Sequence, residues 1–308
     1  MLNLCHQAVN QLTLDVKKYA DTLRLVPSSC CAAEVSQAHF SPLPLEVSNP
    51  NLNDFTLCQF VIQTLLSNMS TVCDQCSLQR NIVFENRLNQ ISLSMSHGVC
   101  NIRCKYCIDH CLDNINIFKD YDLVYRIIKS LFYTGILENH CILKYSSGEF
   151  TINTYQQELY YKLKSFLPDA KFLYSTNATI YHEIIAHELS RGGWVHVNIP
   201  SVDNDLYHEM TLSSVHINQV LQNLSTYLNC LRTNGHPAKH MTLRLFIHEL
   251  IDKNGLELFV EKIHEFGLQD VDIRTIRMLG KYEISSNEYT KLKDYLKILH
   301  PPTDGPII

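Results

Sequence analysis

Three cysteines lie close together in the chain, at Cys100, Cys104 and Cys107, with Tyr106 directly before the last of them. This spacing places three thiolates on one short loop. Such a loop can hold three irons of a cuboidal 4Fe-4S cluster and leave the fourth iron without a protein ligand. The sequence therefore predicts an iron-sulfur site in which one iron is open to another molecule.

Chance and zinc binding are two alternatives for these cysteines. The chain contains 12 cysteines, so some short spacings arise by chance. Cys73 with Cys76, and Cys104 with Cys107, form two closely spaced pairs that could instead build a closed tetrahedral zinc site. Zinc would leave Cys100 without a role, and it would not account for the pattern of the chain after these cysteines.

The composition is that of an ordinary globular protein. With 308 residues, of which 45% are hydrophobic and 19% charged, the chain can bury a sizeable core. We find no run long enough to span a bilayer and no signal peptide, so we expect a cytoplasmic protein with no membrane partner. The net charge of -5 and the lack of a Lys/Arg-rich patch predict no binding to long nucleic acid.

From residue 91 onward, short β-rich runs alternate with helical patterns, as in repeated βαβ units with a parallel sheet. The predicted strands cover 91–96, 141–145, 171–175, 194–199, 242–250 and 271–278. The predicted helices cover 120–132, 155–167, 181–191, 215–231, 256–266 and 287–299. Repeated right-handed crossovers curl such a sheet into an α/β partial (βα)6 barrel, whose ligands bind at the carboxyl ends of the strands.

The cysteine loop resembles the signature of the radical S-adenosylmethionine (SAM) superfamily. In that family the open iron chelates the amino and carboxylate groups of SAM, and one-electron cleavage gives a 5'-deoxyadenosyl radical. The end of the second predicted strand, Ser147-Gly148-Glu149, is similar to the Gly-Gly-Glu motif of the family, with Ser147 in place of the first glycine. The resemblance implies that this turn contacts the amino group of SAM.

The resemblance implies further SAM contacts from the other strands. The sequence Thr176-Asn177-Ala178 is similar to the Thr-Asn-Gly turn of the family, although an Asn also tolerates a left-handed turn. A charged residue such as Arg244 at a strand end could equally form a structural salt bridge. The implied contacts are Tyr106 near the adenine, Asn177 after the third strand, Asn198 and Ser201 at the fourth, and Arg244 on the fifth, with His248 and Glu249 nearby.

A second group of cysteines lies in the first 88 residues. Their order resembles that of SPASM or twitch domains, which carry an auxiliary Fe-S cluster. The resemblance implies two domains, a cysteine-rich SPASM/twitch-like module over 1–88 and a radical SAM partial (βα)6 barrel over 89–308. The alternative is a zinc knuckle at Cys73 and Cys76 beside buried free thiols. The implied ligands of the auxiliary cluster are Cys5, Cys30, Cys31, Cys73 and Cys76.

The resemblance implies an enzyme in which SAM is cleaved at the cluster on Cys100, Cys104 and Cys107, and the resulting radical abstracts hydrogen from a substrate. An electron donor such as flavodoxin or ferredoxin would reduce the cluster. Because SPASM-type enzymes are often peptide maturases, we expect oxidative modification of a peptide, with a small metabolite or the activation of a glycyl-radical enzyme as alternatives. A non-catalytic zinc-binding scaffold is the alternative from another class.

Overall fold

A computed structural model describes residues 11–16, 23–27, 45–47, 88–94, 99–107, 121–278 and 282–301, the first three ranges by their backbone. These residues belong to two compact units. The first unit draws on Met1–Val99 and Ile115–Phe172, and the second on Cys100–Asn114 and Leu173–Ile308.

The first unit is built around a sheet that combines strands from two parts of the chain. Its described elements are β1 (Gln11–Val16), β2 (Leu23–Pro27), β3 (Leu45–Val47), β4 (Leu88–Ser94), α1 (Tyr121–Tyr133), β5 (Leu137–Tyr145) and α2 (Thr154–Phe166). Strand β4 pairs in parallel with β5 on one side and with β1 on the other. The antiparallel strands β2 and β3 follow outside β1. Residues before β4 therefore extend the sheet that contains it.

The core of the first unit lies between this sheet and its helices. Helix α1 packs against β5 and α2, and its apolar residues recur every three or four positions so that one face is buried. On β5, Cys141, Leu143 and Tyr145 alternate with more exposed residues and are themselves buried. Tyr145 also contacts Phe150, with ring centroids 5.0 Å apart. The buried apolar residues of α1 are Leu123, Val124, Ile127, Ile128 and Leu131.

The second unit contains four consecutive parallel strands in the order in which they occur along the chain. Its described elements are β6 (Lys171–Thr176), α3 (Glu183–Ser190), β7 (Trp194–Ile199), α4 (Asn204–Thr211), α5 (Ile217–Thr233), β8 (Met241–Ile247), α6 (Lys253–Glu265), β9 (Asp272–Arg277) and α7 (Ser286–Leu299). None of the helices in the described part of the chain is long and apolar enough to cross a membrane.

The two faces of this second sheet differ in polarity. On β7, Val195, Val197 and Ile199 are buried, whereas His196 and Asn198 point to the opposite face and are partly exposed. Because side chains alternate along a strand, the neighbouring strands continue both faces. The apolar face buries against amphipathic helices, and the other face carries polar side chains.

The six strands predicted from residue 91 onward correspond to β4–β9, and β7 has the predicted bounds. Helix α4, at Asn204–Thr211, is absent from the prediction. It is short and largely polar, so it has little apolar periodicity to reveal it. It begins where the Asp203 carboxylate accepts a hydrogen bond from the backbone N–H of Leu206 at 2.9 Å.

Helix α4 ends at a residue with an unfavourable backbone conformation. Leu212 has φ 50° and ψ 32°, the left-handed region that glycine usually occupies after a helix. Its side chain is 59% exposed, so it gains little burial there. We expect Leu212→Gly to raise the free energy of unfolding by about 0.5–1 kcal/mol, because it removes the steric cost of a Cβ in this region. Urea denaturation followed by circular dichroism measures the change.

Gly235, after helix α5, provides the matched control with the opposite sign. Its φ is +72°, and a Cβ added there would meet no atom within 4 Å. Gly235→Ala should therefore lower the free energy of unfolding by about 1 kcal/mol through backbone strain alone. A Leu212→Gly variant that is no more stable than the wild type would contradict the assignment.

Candidate functional site

The three cysteines of the predicted cluster lie on a loop that is partly buried. Residues 100–107, here called the cysteine loop, carry Cys100, Cys104 and Cys107, whose thiols form no disulfide and are of intermediate exposure. Ile102 anchors the loop, since its side chain is 4% exposed. The backbone N–H of Cys107 donates to the carbonyl of Cys104 at 3.0 Å, which closes a tight turn between these two cysteines.

The cysteine loop is fixed to the carboxyl end of helix α4. The backbone N–H of Arg103 donates to the carbonyl of Thr211 at 2.9 Å, and that of Lys105 donates to the carbonyl of Met210 at 2.9 Å. The last carbonyls of a helix have no partner within it, so the loop satisfies two of them. An ion pair between Lys105 and Glu209, with 3.1 Å between Nζ and Oε1, adds a contact at the same place.

Burial and neighbouring charges keep the Cys104 thiol protonated in the absence of a metal. The pKa of Cys104 is raised to about 12, chiefly by burial and to a lesser extent by the nearby Cys100 and Cys107, whereas a hydrogen bond from Tyr106 lowers it. Three thiolates this close repel one another, so they can all be deprotonated only if cations compensate their charge. This donor set fits an iron-sulfur cluster.

The described residues contain no group of three His, Cys, Asp or Glu side chains arranged around a single metal ion. In a cuboidal cluster each cysteine binds a different iron, so the three sulfurs need not converge on one point. The predicted auxiliary ligands Cys5, Cys30, Cys31, Cys73 and Cys76 lie outside the described residues, as do Cys58 and Cys111. The auxiliary cluster and the zinc knuckle stay predictions.

Tyr106 packs into a hydrophobic cluster of the second unit. Its ring lies 4.7 Å from that of Phe246 between centroids, and both rings pack against Met210, Met278 and Tyr282. Burial raises the pKa of Tyr106 well above its usual range, so its hydroxyl stays a hydrogen-bond donor. Its predicted place near an adenine stays a prediction.

Asn177 contacts the cysteine loop directly. Its side-chain Nδ2 donates to Cys100 Sγ at 3.4 Å and to Asn101 Oδ1 at 2.9 Å. Its Oδ1 accepts from the backbone N–H and the hydroxyl of Thr179, at 3.0 and 2.6 Å. The turn after β6 therefore reaches Cys100, the first of the three cysteines, as expected for a residue at the carboxyl end of a strand. The sequence did not identify Asn101 and Thr179 as part of this site.

The left-handed residue of this turn is Ala178, with φ 54°, and not Asn177. The alternative that Asn177 is present to tolerate such a conformation is therefore wrong. Ala178 is fully buried, and two hydrogen bonds hold its backbone. Its N–H donates to Thr176 Oγ1 at 3.0 Å, and its carbonyl accepts from Asn223 Nδ2 at 2.9 Å. The backbone conformation of a glycine turn is thus retained with an alanine.

In the first unit, the turn that follows β5 carries Ser147, Gly148 and Glu149. Gly148 has φ 66°, which favours glycine, whereas Ser147 does not have a left-handed backbone. The N–H of Glu149 donates to the carbonyl of Val99 at 2.6 Å, which ties the turn to the residue before Cys100. The Glu149 side chain is 1% exposed and accepts from the N–H of Thr151 at 3.2 Å.

The polar face of the second sheet brings Asn198 and Arg244 together, because these residues are cross-strand neighbours. Arg244 donates to His196 Nδ1, so the proton of that imidazole lies on Nε2. Arg244 is also opposite Arg274, whose Nε contacts Asp272 Oδ2 at 2.6 Å. Burial, and then the charge of Arg274, lower the pKa of Arg244. Arg244, Arg274 and Asp272 together carry one net positive charge.

Two other predicted residues have structural hydrogen bonds. Ser201 is 6% exposed, and its Oγ accepts from the N–H of Asp203 at 3.0 Å, just before α4. His248 is fully buried, and its Nε2 lies 3.0 Å from the carbonyl of Pro200 while its Nδ1 accepts from the N–H of Leu250 at 3.3 Å. Burial lowers the pKa of His248, so the neutral ring connects the ends of β7 and β8.

No protein-family model matches the chain, and no curated protein matches its sequence. Solved structures do match its fold. SuiB of Streptococcus suis, bound to S-adenosylmethionine, aligns with a TM-score of 0.51 at 14% identity, over 77% of this chain and 52% of SuiB. A radical SAM methyltransferase from Sphaerobacter thermophilus aligns with a TM-score of 0.50 at 12% identity, over 72% of this chain and 66% of the methyltransferase.

These similarities establish the fold. The predicted class, an α/β partial (βα)6 barrel of radical SAM type, is confirmed. The chain spans about half the length of SuiB and about two thirds of that of the methyltransferase. The cysteine-rich module predicted before the barrel, the division of the chain at residue 88 and the SAM-binding roles of individual residues stay predictions.

The pKa of Cys104 can be tested by alkylation of the reduced, metal-free protein with iodoacetamide. The thiolate is the nucleophile, so its rate should rise about tenfold per pH unit from pH 8 to pH 10, because the pKa is raised to about 12. The alkylation rate of an ordinary exposed cysteine, with a pKa of about 8.5, levels off over this range. Mass spectrometry of the loop peptide measures the rate, and a plateau below pH 10 would contradict the assignment.

Proposed function

We propose that this protein is a radical SAM enzyme whose 4Fe-4S cluster is held by Cys100, Cys104 and Cys107. The observation that carries the proposal is the cysteine loop itself. Three partly buried thiols that form no disulfide lie on one loop of a barrel whose fold is that of radical SAM proteins. When bound, the cluster and SAM would supply one-electron cleavage of SAM to a 5'-deoxyadenosyl radical.

Each unit carries residues with the chemistry to bind SAM. In the first unit, the buried carboxylate of Glu149 suits an ammonium group, and Gly148 gives the turn the left-handed backbone of the motif that it resembles. In the second, the excess positive charge around Arg244 and Arg274 favours a ligand that carries a carboxylate. Asn198, next to Arg244, offers an amide that can donate to or accept from hydroxyl groups.

The substrate that we favour is a peptide, oxidised after hydrogen abstraction. The support is the fold similarity to SuiB, whose structure has also been solved with its precursor peptide SuiA. That structure aligns with a TM-score of 0.51 at 14% identity, over 77% of this chain and 50% of SuiB. The alternative substrates of the same 5'-deoxyadenosyl radical are a small metabolite and a glycyl-radical enzyme. An auxiliary Fe-S cluster on the early cysteines, a flavodoxin or ferredoxin as electron donor and a cytoplasmic location complete the proposal.

The cluster can be tested by anaerobic reconstitution of the wild type and of a Cys100/Cys104/Cys107→Ala variant. Iron, sulfide and zinc are counted, and 5'-deoxyadenosine is assayed after addition of dithionite and SAM. The wild type should form 5'-deoxyadenosine. The variant should form none, because it has lost the three ligands, and any iron that it retains would measure the auxiliary cluster.

Cys230→Ser provides the matched control, since Cys230 is a partly exposed thiol on α5 and is not a residue of the cysteine loop. This substitution should leave the iron content and the formation of 5'-deoxyadenosine unchanged. If the wild type and the triple variant both bind zinc and cleave no SAM, the zinc-binding scaffold replaces the enzyme.

Glu149→Gln tests the proposed ammonium contact. The substitution keeps an oxygen that can accept from the N–H of Thr151 and removes the negative charge. We expect the affinity for SAM to fall about 10–100-fold, the value of a hydrogen bond to a charged group, while the iron content stays the same. Equilibrium dialysis with labelled SAM measures the affinity. An unchanged dissociation constant would exclude Glu149 as a ligand.

A further inference from the structure

Asn177 uses all of its side-chain hydrogen-bonding groups at the cysteine loop. An amide offers two N–H donors and an oxygen with two lone pairs. Here the donors go to Cys100 Sγ and Asn101 Oδ1, and the oxygen accepts twice from Thr179. The orientation of the amide follows from the backbone N–H of Thr179, which can only donate, since exchanging the nitrogen and oxygen of Asn177 would place an NH2 group against it and an oxygen against Asn101 Oδ1.

Two further residues lock this orientation through a closed ring. Asn177 Nδ2 donates to Asn101 Oδ1 at 2.9 Å, and Asn101 Nδ2 donates to Thr179 Oγ1 at 2.7 Å. The Thr179 hydroxyl donates back to Asn177 Oδ1 at 2.6 Å. Donors and acceptors run in one direction around the ring, so each bond polarises the next. The remaining N–H of Asn177 is thereby aimed at the sulfur of Cys100.

We propose that Asn177, held by Asn101 and Thr179, is a positioning residue that raises the reduction potential of the cluster by donating a hydrogen bond to the Cys100 sulfur. The inference rests on the proposed function, because it requires a cluster on Cys100, Cys104 and Cys107. Reduction adds one electron to the cluster and its sulfur ligands. An N–H directed at a ligand sulfur stabilises this added negative charge, so the reduced state is favoured.

The turn that carries Asn177 has other hydrogen bonds to hold it. The N–H of Ala178 donates to Thr176 Oγ1, and Asn223 donates to the carbonyl of Ala178. Removal of the N–H···S bond therefore leaves these backbone contacts in place. Asn177→Asp is the sharpest variant, because aspartate has the shape of asparagine and keeps an oxygen for Thr179 but has no N–H for the sulfur.

The test is an anaerobic redox titration with dithionite, followed by electron paramagnetic resonance of the one-electron-reduced cluster, after iron and sulfide have been counted. We expect Asn177→Asp to lower the equilibrium constant for reduction at least tenfold, which is a fall of about 59 mV in midpoint potential for a one-electron couple. Asn177→Ala should lower it severalfold, since it removes the donor without adding a negative charge. The iron content should equal that of the wild type.

Thr179 tests the ring without a change to Asn177. Thr179→Val removes the hydroxyl but keeps the shape of the side chain, and it should lower the midpoint potential. Thr179→Ser keeps the hydroxyl and should restore the wild-type value. Cys230→Ser is the matched control. Cys230 lies on α5, outside the cysteine loop and outside this turn, so the potential should stay unchanged.

Equal potentials in the wild type, Asn177→Asp and Asn177→Ala, at equal iron content, would overturn the inference and leave the proposed function intact. If the Asn177 variants do not fold, equal potentials in Thr179→Val and Thr179→Ser would overturn it instead. A wild-type protein that takes up no iron and sulfide contradicts the proposed function itself, and this inference falls with it.

Discussion

The position of the cysteine loop in the second unit depends on the hydrogen bonds that its backbone makes to the last carbonyls of helix α4. A helix leaves its last carbonyls without partners, and here the backbone of Arg103 and Lys105 supplies two of the missing N–H groups. Each such bond contributes on the order of 1 kcal/mol, and each would leave a polar group unsatisfied if it were lost. The cysteine loop is therefore placed by main-chain contacts rather than by its thiols. The loop can keep its position while the sulfurs exchange protons for metal.

That exchange links metal binding to protonation. Burial raises the pKa of Cys104 to about 12, so at neutral pH this thiol releases its proton to solvent only when a metal cation binds the sulfur. Asn177 and Tyr106 direct hydrogen-bond donors at the sulfurs of Cys100 and Cys104. Donors of this kind favour sulfur that carries negative charge. The site combines apolar surroundings that disfavour free thiolates with a few polar contacts that stabilise ligated ones.

The sequence predicted some parts of this arrangement better than others. Strands β4–β9 were found because short β-rich runs alternate with helical patterns along this part of the chain. The cysteines and the turn at Gly148 were found because their spacing is local. The ring was not found, since Asn101 lies 78 residues from Thr179 and 76 from Asn177 in the chain. Helix α4 was missed because it is short and polar, although Asp203 is a good helix-capping residue.

Helix α4 has 8 residues, which corresponds to a length of about 12 Å, and connects the end of β7 to the cysteine loop. One inserted or deleted residue would rotate its terminal carbonyls by about 100° about the helix axis and move them by about 1.5 Å. The two carbonyls would then no longer face the N–H groups of the loop. Natural variants of this protein should therefore conserve the length of this segment more strictly than the identity of its exposed residues. Insertions would accumulate in other connections of the barrel.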